Sequence, residues 1–202
     1  HPQAFQLALD AREAGCHVWM EKPPAAGAQQ IRELIQASRR AGKQVMVGFK
    51  KMFFPAIEKA KGIIGGDDFG TPRSIYLRYP QGLPPEEQRQ DDRCMAGFLD
   101  HIVHPASIMI YLMGPVHSLY FLREEWSGGT VASIRFRSGA IGTLHLTAGQ
   151  SGASPLERVE VIGDGANVVV DNGVHVTYYR KAFRGHYGRT PSYLVSDEQA
   201  PL

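Results

Sequence analysis

His17-Val18-Trp19-Met20-Glu21-Lys22-Pro23 is the stretch on which the reading of this chain turns. A short apolar run closes on a charged pair and a proline, with Gly15 ahead of it and Pro24 behind. That pattern predicts a buried parallel strand, 17–20, whose C-terminal end carries Glu21 and Lys22. Open α/β sheets bind ligands just outside such strand ends. A proline after the lysine fixes the backbone, so the ammonium can be aimed with little entropic loss. Lys22-Pro23 is also where a cis peptide bond is expected, because X-Pro bonds carry only a small trans preference. The competing reading is a solvated loop pair of charges.

Outward from that strand, 2–14 reads as a helix carrying Phe5, Leu7, Ala8 and Leu9 and stopped by Gly15. A second helix, 27–41, places Ile31, Leu34, Ile35 and Ser38 at helical spacing and ends at Gly42, and 44–49 follows as a second buried strand. The order α-β-α-β is the back half of a doubly wound sheet. Pro55 can open a third helix over 55–64. Past Gly70 the chain turns to strands at 73–79, 116–126, 131–136, 141–146, 158–162, 168–171 and 174–179. Turns at Ser127-Gly128-Gly129, Ser138-Gly139, Asp164-Gly165 and Asn172-Gly173 link most of them as hairpins. The fold class is therefore α/β at the front and α+β overall, the second part a largely antiparallel open sheet, with the division at 1–54 and 55–202. Alternation at Ile134/Phe136 and Leu144/Leu146 buries one sheet face against helices and leaves the other for a neighbouring subunit, so a homo-oligomer through the open sheet face is expected. Trp126, Phe136 and Leu146 are the residues expected at that contact.

A second feature bears on chemistry. Asp100 and His104, in Gly97-Phe98-Leu99-Asp100-His101-Ile102-Val103-His104, stand four apart in a helix-compatible segment, so both side chains can enter one cleft. Pro105 directly after His104 requires either a kink in that helix or a helix that begins there. Taken with Glu21-Lys22-Pro23, and with Val47-Gly48-Phe49 followed by Phe53-Phe54-Pro55, the order and spacing resemble the Gfo/Idh/MocA family of nicotinamide-dependent oxidoreductases. The resemblance covers nearly the whole chain. It implies that Lys22, Asp100 and His104 form the catalytic group and that Glu21, Lys22 and Pro23 border the cofactor, NAD or NADP. Ser107 departs from the family pattern, where an aspartate often stands three after the histidine, and so does Met52, where an arginine or other polar residue is common.

The chain opens at His1-Pro2, and nothing ahead of Glu21 supplies a glycine-rich strand-turn-helix for a dinucleotide pyrophosphate. Gly163-Asp164-Gly165 lies between two strands and reads as a hairpin turn. The expectation is a piece of a longer enzyme, lacking the N-terminal half of its Rossmann domain. Such a 202-residue chain should bind NAD(P) weakly or not at all. Calorimetry tests this, and a low-micromolar dissociation constant would place the cofactor site elsewhere.

Bulk properties set bounds on partners. Lys plus Arg number 22 against 20 Asp plus Glu, for a formal net charge of +2, so neither nucleic acid nor a membrane surface is implied. The basic stretch 180–189 interleaves aromatics with charges and reads as a solvated loop or interface arm. Two cysteines, Cys16 before a strand and Cys94 in a loop, suit reduced thiols, and no metal site is expected. The cytoplasm is the default location.

Oxidising a secondary alcohol needs a base for the hydroxyl proton, and histidine suits because its ordinary pKa, about 6.5, lies near working pH. His104 is that candidate base, Asp100 can hold a substrate hydroxyl or the imidazole, and Lys22 can donate to the same oxygen. The expected activity is hydride transfer between a nicotinamide and a hydroxyl-bearing carbon of a sugar, cyclitol or related small molecule. A non-catalytic nucleotide- or sugar-binding regulator of the same fold and an NAD-dependent glycosidase remain as alternatives.

Overall fold

The structure is a computed structural model and describes residues 2–153 and 155–180. Of the basic stretch 180–189, all but Arg180 lies outside the described residues.

The first part is built from α1 (Pro2–Glu13), β1 (Val18–Met20), α2 (Ala28–Ala41) and β2 (Val45–Val47). β1 and β2 pair in parallel, Val18 opposite Val45 and Met20 opposite Val47. Phe5, Ala8, Ala25 and Leu34 form the buried cluster of this part, with Val18, Met20, Ile31 and Val45 packed on it. The helices cover only one face of the strand pair. Trp19 and Met46 on the other face are 76% and 54% exposed, which corrects the expectation of strands buried on both sides.

Arg12 is the polar residue that ties this part together. It is only 1% exposed. One terminal nitrogen donates to Cys16 O at 2.5 Å and the other to Ser38 O and Lys43 O at 3.0 and 2.8 Å. The guanidinium thus satisfies carbonyls at the C-terminal ends of both helices, where their dipoles favour a cation. Replacing it by methionine keeps much of the volume and leaves three acceptors without this donor. Arg12→Met should cost about 2 kcal/mol of stability, read as a drop in denaturant midpoint at unchanged slope.

The second part carries α3 (Pro55–Ile64), β3 (Ser74–Tyr79), α4 (Asp92–Met113), β4 (Val116–Arg123), β5 (Thr130–Phe136), β6 (Ile141–Leu146), β7 (Arg158–Ile162), β8 (Asn167–Asp171) and β9 (His175–Tyr179). Pro55 starts α3, where its missing N–H costs nothing. The strands form one sheet in the order β4-β5-β6-β3-β7-β8-β9, antiparallel throughout except for the β3–β6 pair. The β8–β9 turn shows why the hairpins form where they do. Asn172 and Gly173 both adopt positive φ, 51° and 66°, at the centre of a primed turn closed by Val174 N donating to Asp171 O at 3.1 Å. A Cβ at Gly173 would also meet the Phe54 ring at 2.8 Å.

Alternation along β3, β5, β6 and β7 points Ile75, Leu77, Ile134, Phe136, Leu144, Leu146, Val159 and Val161 at α3 and α4. Phe136 and Leu146 are 1% and 3% exposed, so they belong to this core and cannot reach the open face as expected above. Trp126, by contrast, is 91% exposed. Cys94, expected in a loop, stands in the first turn of α4 and is capped by the Asp91 carboxylate. The Asp164-Gly165 segment is the β7–β8 hairpin turn, as expected.

Candidate functional site

The first of the parallel strands ends near the middle of α4, where Asp100 stands. Glu21 follows β1, and the Lys22-Pro23 bond is cis, as expected. Gly48, just past β2, lies beside the Glu21 carboxylate, whose Oε2 would be 3.5 Å from a Cβ there, an ordinary contact. The Lys22 side chain does not extend into solvent. Its Nζ donates to the Asp100 backbone carbonyl at 2.9 Å and lies 2.8 Å from Asp100 Oδ1, with the side chain 16% exposed. One ammonium therefore links the first strand's end to the middle of α4.

α4 runs unbroken from Asp92 to Met113 with Pro105 inside it. The proline removes one backbone bond. Burial of Ile108, Met109, Leu112 and Met113 against the sheet offsets that loss and carries the helix through. Asp100 and His104 consequently stand one turn apart on the same helix. Ser107, three past the histidine, donates its hydroxyl to His104 O at 2.9 Å and contributes no carboxylate.

The electrostatics of the two residues differ. The Lys22 hydrogen bond holds the Asp100 carboxyl below its ordinary range, helped by the charges of Lys22, His101 and His104. His104 is 4% exposed and its Nδ1 has no hydrogen-bond partner among the described residues. Burial pushes its pKa down to about 4, and the neighbouring charges of Lys51, Lys22, Lys50 and His101 act in the same direction. At neutral pH the imidazole is therefore uncharged and able to accept a proton.

Three residues that the sequence did not point to complete the surroundings. Lys51, in the 3-10 turn Lys50–Phe53, pairs with Glu157 Oε1 at 2.5 Å and donates to the Tyr79 hydroxyl at 3.4 Å. The signal for Lys51 was a lysine pair set between Phe49 and the Phe53-Phe54-Pro55 run. Glu157 lies 106 residues away and carries no local mark. A cavity of about 590 Å³ is lined by Pro23, Pro24, Ile31, Val47, Leu99 and Val103 among others. Arg39 is its one charged residue among the described ones, and none of Lys22, Asp100 and His104 lines it. Among the described residues no group of His, Cys, Asp and Glu could hold a metal ion, and no helix is long and apolar enough to cross a membrane.

The chain joins a parallel strand pair ending on a charged turn to a long helix laid over a largely antiparallel sheet. Residues 57–169 match the family model described as GFO/IDH/MocA C-terminal domain, and residues 2–49 that described as oxidoreductase family, NAD-binding Rossmann fold. The chain belongs to the Gfo/Idh/MocA family. It is 27% identical over 179 residues to an uncharacterized oxidoreductase, YrbE, of Bacillus subtilis, a match covering 83% of this chain and 52% of that protein. Against the myo-inositol 2-dehydrogenase of Thermotoga maritima the identity is 25%, covering 83% of this chain and 53% of the relative. A crystal structure of an NAD binding oxidoreductase from Klebsiella pneumoniae superposes with a TM-score of 0.78 at 25% identity, covering 92% of this chain and 56% of that one. The chain thus spans about half the length of the curated relatives it matches.

Proposed function

We propose that the protein is an NAD(P)-dependent dehydrogenase or reductase acting on a hydroxyl-bearing carbon of a sugar, cyclitol or related polyol. Residues 1–54 would contribute the C-terminal half of the cofactor domain and 55–202 the substrate domain. The observation that carries the reading is the Lys22 ammonium held on Asp100, one helical turn from a buried and uncharged His104. Relatives that include a myo-inositol 2-dehydrogenase and a 1,5-anhydro-D-fructose reductase support the substrate class.

The donor set suits a nicotinamide. Glu21, Lys22 and Pro23 stand at the C-terminal end of a parallel strand, the position where open α/β sheets take ligands, and Gly48 keeps the neighbouring strand end free of a side chain. The cofactor, when bound, supplies the hydride acceptor. In alcohol oxidation the His104 imidazole accepts the hydroxyl proton, and Lys22 donates to the same oxygen as negative charge develops on it. Asp100 keeps the lysine aimed. Supplying a panel of sugars and cyclitols to the full-length protein with NAD and with NADP, and following reduced nicotinamide by absorbance, tests the reading. Turnover of at least one polyol is expected, and silence across the panel would turn the assignment toward a regulator.

The reading includes a homo-oligomer formed through the open sheet face and a cytoplasmic location. Tyr120 and Leu122 on β4, Ile141 on β6, Ile162 on β7 and Tyr179 on β9 are between 45% and 82% exposed, apolar side chains that a second copy would cover. Leu122→Lys should shift the mass measured by light scattering toward that of a monomer, and an unchanged mass would remove this face from the interface.

A further inference from the structure

Lys22, Asp100 and His104 leave unexplained a second charged group sunk under the same helix. Lys51 Nζ lies 2.5 Å from Glu157 Oε1, 3.4 Å from the Tyr79 hydroxyl and 4.8 Å from the centre of the Tyr79 ring. The side chains of Lys51 and Glu157 are only 17% and 27% exposed, and Tyr79 is 5% exposed. A half-buried ion pair is a poor way to join two elements, because apolar residues of similar volume often serve stability equally well. Its location suggests another use. The turn that carries Lys51 packs against α4, β3 with Tyr79 at its end lies beneath α4, and His104 is the buried α4 residue whose Nδ1 has no partner among the described residues.

We propose that Lys51, clamped by Glu157 and Tyr79, is a positioning residue for His104: its fixed positive charge keeps the imidazole free of a proton and ready to take one from substrate. The inference rests on the reading of His104 as the base. Three contacts hold the ammonium, so it cannot swing away from the helix as a solvated lysine would. Lys22 from the end of β1, Lys50 and Lys51 from the turn, and Asp100 and His101 from α4 bear on the imidazole, while Tyr79 from β3 and Glu157 ahead of β7 face Lys51. After burial, Lys51 is the largest cause of the downward shift of His104, ahead of Lys22, Lys50 and His101. Burial and Glu157 push the Tyr79 phenol up to about 12, so it stays neutral and Glu157 is the anion that balances the lysine.

The test needs no substrate and so fails separately from the proposed function. The protein is labelled with carbon-13 at histidine Cε1, the His104 signal is assigned through His104→Asn, and its titration is followed by NMR. Lys51→Met should raise the midpoint by at least about one pH unit, and Glu157→Gln, which removes the balancing anion, should lower it. Lys51→Arg should keep the wild-type midpoint, as should Lys59→Met, an exposed lysine on α3. A purely structural clamp would lose thermal stability in Lys51→Met and Glu157→Gln while moving neither titration. An unchanged midpoint in Lys51→Met overturns the proposal. Should that variant fail to fold, Glu157→Gln decides, and a midpoint that stays or rises there overturns it equally.

Discussion

On the proposed dehydrogenase function, His104→Asn should lower turnover by about 10²- to 10⁴-fold while cofactor affinity changes little. Asparagine approximates the shape of the imidazole and can hydrogen-bond, but it cannot accept the hydroxyl proton. The same residue sets two pH dependences. Because burial and nearby cations push its pKa down to about 4, the acid limb of kcat/KM should fall near pH 4 and not near the ordinary histidine value of about 6.5. Stability follows the same shift. A folded-state pKa below the unfolded value gives a contribution fully present above about pH 6.5 and lost as pH falls toward 4, at up to about 1.4 kcal/mol per pH unit. His104→Asn should flatten that part of a stability-against-pH curve, measured by denaturant melts. Turnover unchanged under conditions where chemistry limits the rate would assign the base to another residue.

What the sequence disclosed and what it hid divide by the range of the interaction. Asn172-Gly173, Asp164-Gly165 and Pro55 act within a turn of chain, and the hairpins and α3 fall where those residues require. The period-2 alternation of β5 and β6 likewise gave the sheet's two faces, because each residue's side is fixed by its neighbour. Trp19 misled because an apolar residue in a short strand carries no record of how many layers cover it, and α1 and α2 cover one. Pro105 was ambiguous locally, and the packing of the following two turns onto the sheet resolved it. The Lys51–Glu157 pair was invisible for the opposite reason. It joins a turn to a strand entrance more than a hundred residues on, and neither residue type is unusual where it stands. Lys22, Asp100 and His104 were legible through the resemblance of their spacing to a family. The structure adds a contact, Lys22 to Asp100 across 78 residues, that spacing alone does not state.

That contact makes Lys22→Met the second large expected effect. Methionine keeps most of the stem and its packing, so the change removes a charge and its donors and little volume. Turnover should fall about 10²- to 10³-fold, the cost of one donor aimed at oxygen charge that appears only in the transition state. Asp100 loses its chief hydrogen bond at the same time, and its carboxyl should titrate closer to the ordinary range. Carbon-13 NMR of that carboxyl reports this second outcome without substrate. The two outcomes separate the roles open to the lysine. Lower turnover with cofactor affinity unchanged and Asp100 shifted places the ammonium at the substrate oxygen. Lost cofactor affinity with chemistry intact at saturating nicotinamide would place it at the cofactor, and Asp100 would then serve to aim the lysine at the ring. Turnover and Asp100 titration both unchanged would mean that the 2.8 Å pair is not maintained in solution, and with it would go the observation on which the proposed function rests.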